Sequence, residues 1–392
     1  MKLKQLPEDF LVDEQAEFTP DPAGKFFVYE LDKTSISTLE AMQQLARNAG
    51  LKIRDLSPAG LKDKHASTRQ LFSATAALRP ETGDPRLKIR FVGKAAAPLT
   101  AACITGNAFR LVVRCLRDVD ARRLAANAEV VKRVGLPNYY DDQRFGGNAH
   151  GQGFIGRALA QGNFEEAVRL HLAAPHRKQN LTDKQNRRLA RDLWGNWAEL
   201  HQRMRKSPER ALVEFLRDHP GQWVECFERI TPPLRNMFVA AYQSLLFNET
   251  LARFVAASGL PVAAQENRGG SIPMHCDAPT EVLARWRELR FPLPGPETRL
   301  ADCPEAAPHL QAVLEQQGIM LPDLRLAGLQ RTRFMAAERA ILLFPKDLNL
   351  AAPEADDLNP GRLKVALTFS LPRGSFATMV VKRLAADCGS AG

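Results

Sequence analysis

A chain of 392 residues exceeds one ordinary domain and suggests two of about 150 to 200 residues each. With 45% hydrophobic and 25% charged residues it has the profile of a soluble globular protein that needs neither disulfides nor a metal to build its core. Lys and Arg number 54 against 44 Asp and Glu, a formal +10 that suits a polyanionic partner such as nucleic acid or an anionic surface. No apolar run approaches the roughly 20 residues needed to cross a bilayer, and MKLKQLPEDFLVDEQ lacks the apolar core of a signal peptide. The six cysteines lie scattered without a CxxC pair, which predicts reduced thiols in a cytoplasmic protein and argues against a zinc ribbon or zinc deaminase site. Cys276 beside His275 has no partner pair nearby, so it reads as a loop position rather than a metal ligand.

In chain order, residues 26–31 (FFVYEL) suit a short strand. A helix follows from Ser37, with Leu39, Met42, Leu45 and Ala46 on one face and Gly50 at its end. Residues 69–74 and 107–114 read as strands, and Asp120 as the cap of a helix that runs to Val134 and stops at Gly135 and Pro137. From about 156 to 334 the pattern turns helical, over 164–173, 184–204, 208–219 and 233–258, with Pro- and Gly-rich loops at 259–279 and 291–308. Val365, Leu367, Phe369 and Leu371 then alternate along another strand. The turn at Pro372-Arg373-Gly374 leads to Ser375, which can cap a final helix. Strand signals at both ends of a helical middle predict an α+β catalytic domain interrupted by an inserted one.

The chemistry concentrates in residues 58–70, PAGLKDKHASTRQ. Lys62 and Lys64 flank Asp63, an arrangement that keeps a carboxylate ionised and offers cations to a phosphate. An ionised, positioned carboxylate is what covalent catalysis on a sugar or base requires. The same three residues also fit a solvated surface turn. GxxxxGK[ST] is absent, so this is not a P-loop.

GLKDKHASTRQ resembles the GxKDKxAxTxQ signature of the TruD-type pseudouridine synthases. Four more segments resemble the same family in order: PEDFLV at 7–12, GNAF at 106–109, PNYYDDQRFG at 137–146 and LPRGSFAT at 371–378, with a weaker match, AYQSLLFN, at 241–248. The resemblance implies a pseudouridine synthase fold, a curved mixed sheet flanked by helices, over residues 1–155 and 336–392. A largely helical TRUD domain would be inserted at 156–335, with RNA lying in a basic cleft. It implies Asp63 as the nucleophile, and Phe10, Asn138 and Phe376 lining the uridine pocket. An aromatic face stacks on a base lifted from RNA, and an Asn amide bonds a uracil edge or the backbone.

Gln143 and Arg144 then either hold RNA phosphates or brace the loop carrying Asn138. Lys62 and Lys64 are either RNA contacts or solvated charges. Tyr140 stands where the family usually has Phe, keeping the aromatic face, and Asp141 where it has Gly, adding negative charge near an RNA site. Lys184, Arg187, Arg188, Arg191, Arg203, Arg205 and Lys206, with Arg177 and Lys178 before them, form a basic stretch that faces either RNA or solvent. The implied substrate is tRNA, usually its uridine 13, with no metal or other cofactor, and the implied state is a monomer without an obligate protein partner. The competing reading, an RNA-binding protein or chaperone that kept the fold and lost the chemistry, would lack the nucleophile. A methyltransferase would want a Gly-rich loop after an early strand, and none is evident.

Overall fold

The computed structural model describes residues 1–145, 153–175 and 180–389, so Gly146 of the PNYYDDQRFG segment and Arg177-Lys178 of the basic stretch lie outside the described residues. The chain forms two compact units, one from residues 1–136 and 343–387 and the other from 137–342 with 388–392.

The first unit is built on a nine-stranded mixed sheet. Its main strands are β1 (Phe10–Ala16), β2 (Phe26–Thr34), β3 (Ser67–Ala74), β4 (Leu87–Ala95), β5 (Ile104–Leu116), β6 (Lys346–Leu350) and β7 (Leu363–Pro372), in the order β6-β7-β5-β1-β3-β2-β4. β1 runs parallel to β3, and the other neighbours along this path are antiparallel. The sequence pattern finds β2, β3, β5 and β7 but not β1, β4 or β6. β4 exposes Phe91 and Val92, so its inward face is short.

The helix Thr38–Asn48 opens at Ser37 with a reciprocal cap, Glu40 N donating to Ser37 Oγ and Ser37 N to the Glu40 carboxylate. It lays Ala41, Met42, Leu45 and Ala46 against Tyr29, Leu31, Phe72 and Ile89 of the sheet. Leu39, expected on that face, is 55% exposed, because the buried stripe is centred on Ala41 and Leu45. Two cap assignments also shift. The helix Asp118–Val134 starts ahead of Asp120, whose carboxylate instead turns back to accept from Arg117 N at 3.0 Å. The last helix, Ala377–Leu384, has Phe376 as its N-cap, so Ser375 is not the capping residue.

The second unit carries the helices Phe164–Ala173, Pro208–Asp218 and Pro232–Ala256, as the apolar spacing predicts. The expected helix over 184–204 is two, Leu181–Asp192 and Trp197–Arg203, parted at Gly195, whose φ of 89° is left-handed territory that an L side chain resists. The break lets Trp194 stack on Trp223 at 5.9 Å. The expected loop at 259–279 contains a hairpin, Val262–Asn267 against Gly270–His275. The expected loop at 291–308 begins in a strand, Arg290–Leu293, paired with Ala337–Ala340.

The expectation of reduced thiols throughout does not hold. Cys276, at the end of the hairpin, is bonded to Cys388, with Cα atoms 5.3 Å apart. The two are 112 residues apart, a pairing no local spacing announces. Among the described residues, no helix is long and apolar enough to cross a membrane.

Candidate active site

In the first unit, four of the recognised segments meet at one end of the sheet. PEDFLV runs into β1, GNAF lies in β5 and LPRGSFAT begins in β7. Glu14 of β1 pairs in register with Asn107 of β5, and Asn107 with Leu371 of β7. The Asp63 loop enters β3 beside them. Gly60 has no room for a side chain, since a Cβ there would lie 2.7 Å from Ile104 Cδ1 and 2.8 Å from Glu14 Oε2. Its carbonyl accepts from Gln70 Nε2 at 2.7 Å. Thr38 Oγ1 donates to Gln70 Oε1 and accepts from Lys62 N, both at 2.9 Å. The glycine and glutamine of the motif therefore fix the loop, and the aspartate rides on it.

Asp63 itself is held on three sides. One carboxylate oxygen pairs with Lys4 Nζ, and the other accepts from His65 N at 3.1 Å. Its backbone carbonyl accepts from Lys33 Nζ at 2.8 Å. Partial burial works against ionisation, but the Lys4 hydrogen bond and charge, with the His65 amide, outweigh it and hold the carboxyl below its usual range. The side chain remains 23% exposed, so the ionised group is reachable. Such a carboxylate is fit to act as a nucleophile.

The neighbouring lysines divide in role. The Lys62 ammonium is spent on Glu14 at 2.6 Å and on Asn107 Oδ1 at 2.8 Å. Lys64 pairs at the surface with Glu40 at 2.9 Å. Phe10 is buried, edge-on to Phe109 at 6.2 Å, with the Lys4 ammonium 4.0 Å above its ring. Lys4 thus links Phe10 to Asp63. It sits in the left-handed backbone region with φ 56°, a conformation that costs a non-glycine residue about 1 kcal/mol or more. Phe376 is half-buried, between the β7 turn and the last helix.

Asn138, Tyr140, Gln143 and Arg144 belong to the second unit. There Asn138 is buried, its Nδ2 donating to Ala340 O at 2.9 Å and its Oδ1 accepting from Arg339 Nη2 at 2.6 Å. Arg339 Nε also donates to Asn138 O at 2.8 Å, and the guanidinium lies 4.2 Å over the Tyr140 ring. The backbone of Tyr140 is bracketed by Asn248, which accepts from its N–H and donates to its carbonyl, both at 2.8 Å. Asn248 comes from the weakest of the recognised segments. Asp141 is buried, and Asp142 caps the hairpin by accepting from Arg268 N at 2.7 Å. Arg144 is exposed and donates to Ser244 Oγ at 3.1 Å, and Gln143 is exposed.

Sequence reasoning missed Lys4, Lys33 and Arg339. For Lys33 a signal existed. It falls in the same two-residue phase as the buried Tyr29 and Leu31, and a lysine on a buried face calls for a reason.

The chain matches the model of the family described as tRNA pseudouridine synthase D (TruD) over residues 1–384. It is 30% identical to the probable tRNA pseudouridine synthase D 1 of Methanococcus maripaludis, covering 98% of this chain and 99% of that one. It is 27% identical to the tRNA pseudouridine synthase D of Leptospira interrogans, over 97% and 95%. The crystal structure of a putative tRNA pseudouridine synthase D from Methanosarcina mazei superposes with a TM-score of 0.71 at 26% identity, covering 98% of this chain and 93% of that one. The chain belongs to the TruD family.

Proposed function

We propose that this protein isomerises a uridine of tRNA to pseudouridine, with uridine 13 the expected target and Asp63 the nucleophile. The observation that carries the assignment of Asp63 is its state: a partly exposed carboxylate kept ionised by Lys4 and the His65 amide on a loop braced by Gln70 and Lys33. The reaction is redox-neutral. Asp63 adds to the nucleotide, the C–N glycosidic bond breaks, the base turns, a C–C bond forms between the sugar C1′ and C5, the bond to Asp63 breaks to release the carboxylate, and the C5 proton leaves while N1 takes one up.

The groups around Asp63 supply positioning and charge. Lys4 and the His65 amide hold the carboxylate in its reactive protonation state, so no general base is needed to activate it. Phe10, Phe376 and Asn138 are proposed to form the uridine pocket, with the aromatic residues supplying stacking surface. Asn138 is held in one orientation by Arg339. Tyr140 and Arg144 support that loop.

Tritium release from tRNA carrying 5-tritiated uridine tests the reading. Release by wild type and none by Asp63→Asn is the expected result. No release from any unmodified tRNA would sink the assignment and favour a non-catalytic RNA-binding role. Release surviving in Asp63→Asn would remove Asp63 as the nucleophile.

A further inference from the structure

The second unit contains a cleft of about 600 Å³, within the size range of small-ligand sites, between the helix Pro232–Ala256 and the segment 330–335. In that segment Thr332 and Phe334 point inward and are 2% and 3% exposed, while Arg331, Arg333 and Met335 are exposed and line the cleft. Arg331 and Arg333, separated by the buried Thr332, both line the cleft. The opposite wall is the helix face of Asn236, Ala240 and Gln243, and Arg144 also lines the space.

The cleft is built rather than incidental. Gln330 N donates to Glu228 at 2.8 Å, and Asn236 Nδ2 to Arg331 O at 3.3 Å. Gln243 Nε2 donates to Pro294 O at 2.9 Å and Met335 O at 2.8 Å. These bonds pin the segment at three points, and they hold Arg331 in the left-handed region at φ 57°. Its charge, however, is unanswered. Among the described residues neither the Arg331 nor the Arg333 guanidinium has a hydrogen bond or ion pair, and no carboxylate lines the cleft. The neighbouring Arg325 is instead neutralised by Glu297. Uncompensated guanidinium groups beside an apolar surface of Met335, Leu293 and Ala240 match a ligand that is anionic at one end and flat and apolar at the other.

We infer that this cleft binds one unstacked nucleotide of the substrate RNA, its phosphate on Arg331 and Arg333 and its base against Met335. The identity of the polymer rests on the proposed function, whereas the chemistry of the cleft does not. A site of this kind lends affinity and register to the RNA without touching the reacting uridine.

The test is binding of an unmodified tRNA transcript, by fluorescence anisotropy across a salt series, run alongside tritium release by the wild type. Arg331→Ala/Arg333→Ala is expected to raise Kd about 10-fold or more and to flatten the slope of log Kd against log salt by about 0.7 for each phosphate left unneutralised. Met335→Ser is expected to raise Kd about 3-fold or more, and Arg325→Ala to leave it within about 2-fold. A double variant with wild-type Kd and slope overturns the inference, while tritium release by the wild type leaves the function standing. Loss of binding in the double variant with no tritium release in the wild type supports the cleft and sinks the function. A Met335→Ser protein indistinguishable from wild type reduces the cleft to a phosphate contact and overturns the nucleotide.

Discussion

The Lys33 ammonium, 1% exposed, donates to the backbone carbonyl of Asp63 at 2.8 Å and to Ile36 O at the same distance. A buried lysine thus anchors the main chain of the proposed nucleophile, while a different lysine answers its charge. Burial lowers the Lys33 pKa to about 8, although the nearby Asp63 charge works in the opposite direction.

Replacing Lys33 with Met leaves the Asp63 carbonyl without its partner and lets the loop drift. We expect kcat to fall about 10- to 100-fold with tRNA affinity within about 2-fold of wild type, since displacements of about 1 Å carry costs of that order. Single-turnover tritium release and equilibrium binding separate the two. Stability gives a second readout. Lys33 binds its proton less tightly folded than unfolded, so its burial costs stability below pH 8. That cost is relieved as pH rises from about 8 towards 10.5, at up to about 1.4 kcal/mol per pH unit. The stability of wild type relative to Lys33→Met should rise over that window, and a flat difference would mean that folding does not lower the Lys33 pKa.

Lys4 carries the electrostatic task. With Lys4→Met, burial loses its largest opposing contributions, and the Asp63 pKa should rise. The acid limb of the kcat/KM profile should move to higher pH, with activity lost first at low pH and largely restored at neutral pH. An acid limb in the same place as wild type would show that Lys4 does not set the protonation of Asp63.

Arg339 braces Asn138 and Tyr140 with a two-pronged bond and a stacked guanidinium. Arg339→Lys keeps the charge but loses the planar fork, and we expect it to destabilise the second unit by about 2 kcal/mol. The change should appear in urea unfolding followed by tryptophan fluorescence, since Trp194, Trp197, Trp223 and Trp286 all belong to that unit. An unshifted midpoint would contradict the bracing role.

The Cys276–Cys388 bond leaves Cys103, Cys115, Cys226 and Cys303 as thiols. Titration of protein unfolded without reductant should find four reactive groups, and six after reduction. Six in both cases would show that the pair is reduced in the isolated protein.

The part of the site legible in the sequence is the part contiguous in the chain. Gly60, Asp63 and Gln70 fall within one short segment whose spacing survives in the folded loop. Lys33 reaches the same loop from a neighbouring strand, and Lys4 through a left-handed kink ahead of PEDFLV. Their roles depend on strand register, which composition does not encode. Helices with a clean apolar stripe, such as Phe164–Ala173, are legible to the residue. The hairpin Val262–Asn267/Gly270–His275 is hidden because Gly and Pro make it resemble a loop. Leu39 shows the limit of reading faces by residue type, since an exposed leucine and a buried alanine differ only in where the stripe is centred.

The order of the strands has a consequence for synthesis. β5 ends at Leu116, but its antiparallel neighbour β7 begins only at Leu363, after residues 137–342 of the second unit have been made. At about 5–20 residues per second, a ribosome leaves that 13-residue edge without its partner for roughly 10 to 50 s. An unpaired strand carrying Leu111, Val112 and Val113 is a template for intermolecular pairing. The nascent chain is therefore most exposed to aggregation midway through translation, and chains cut short before Leu363 are the ones that should depend on a chaperone to stay in solution.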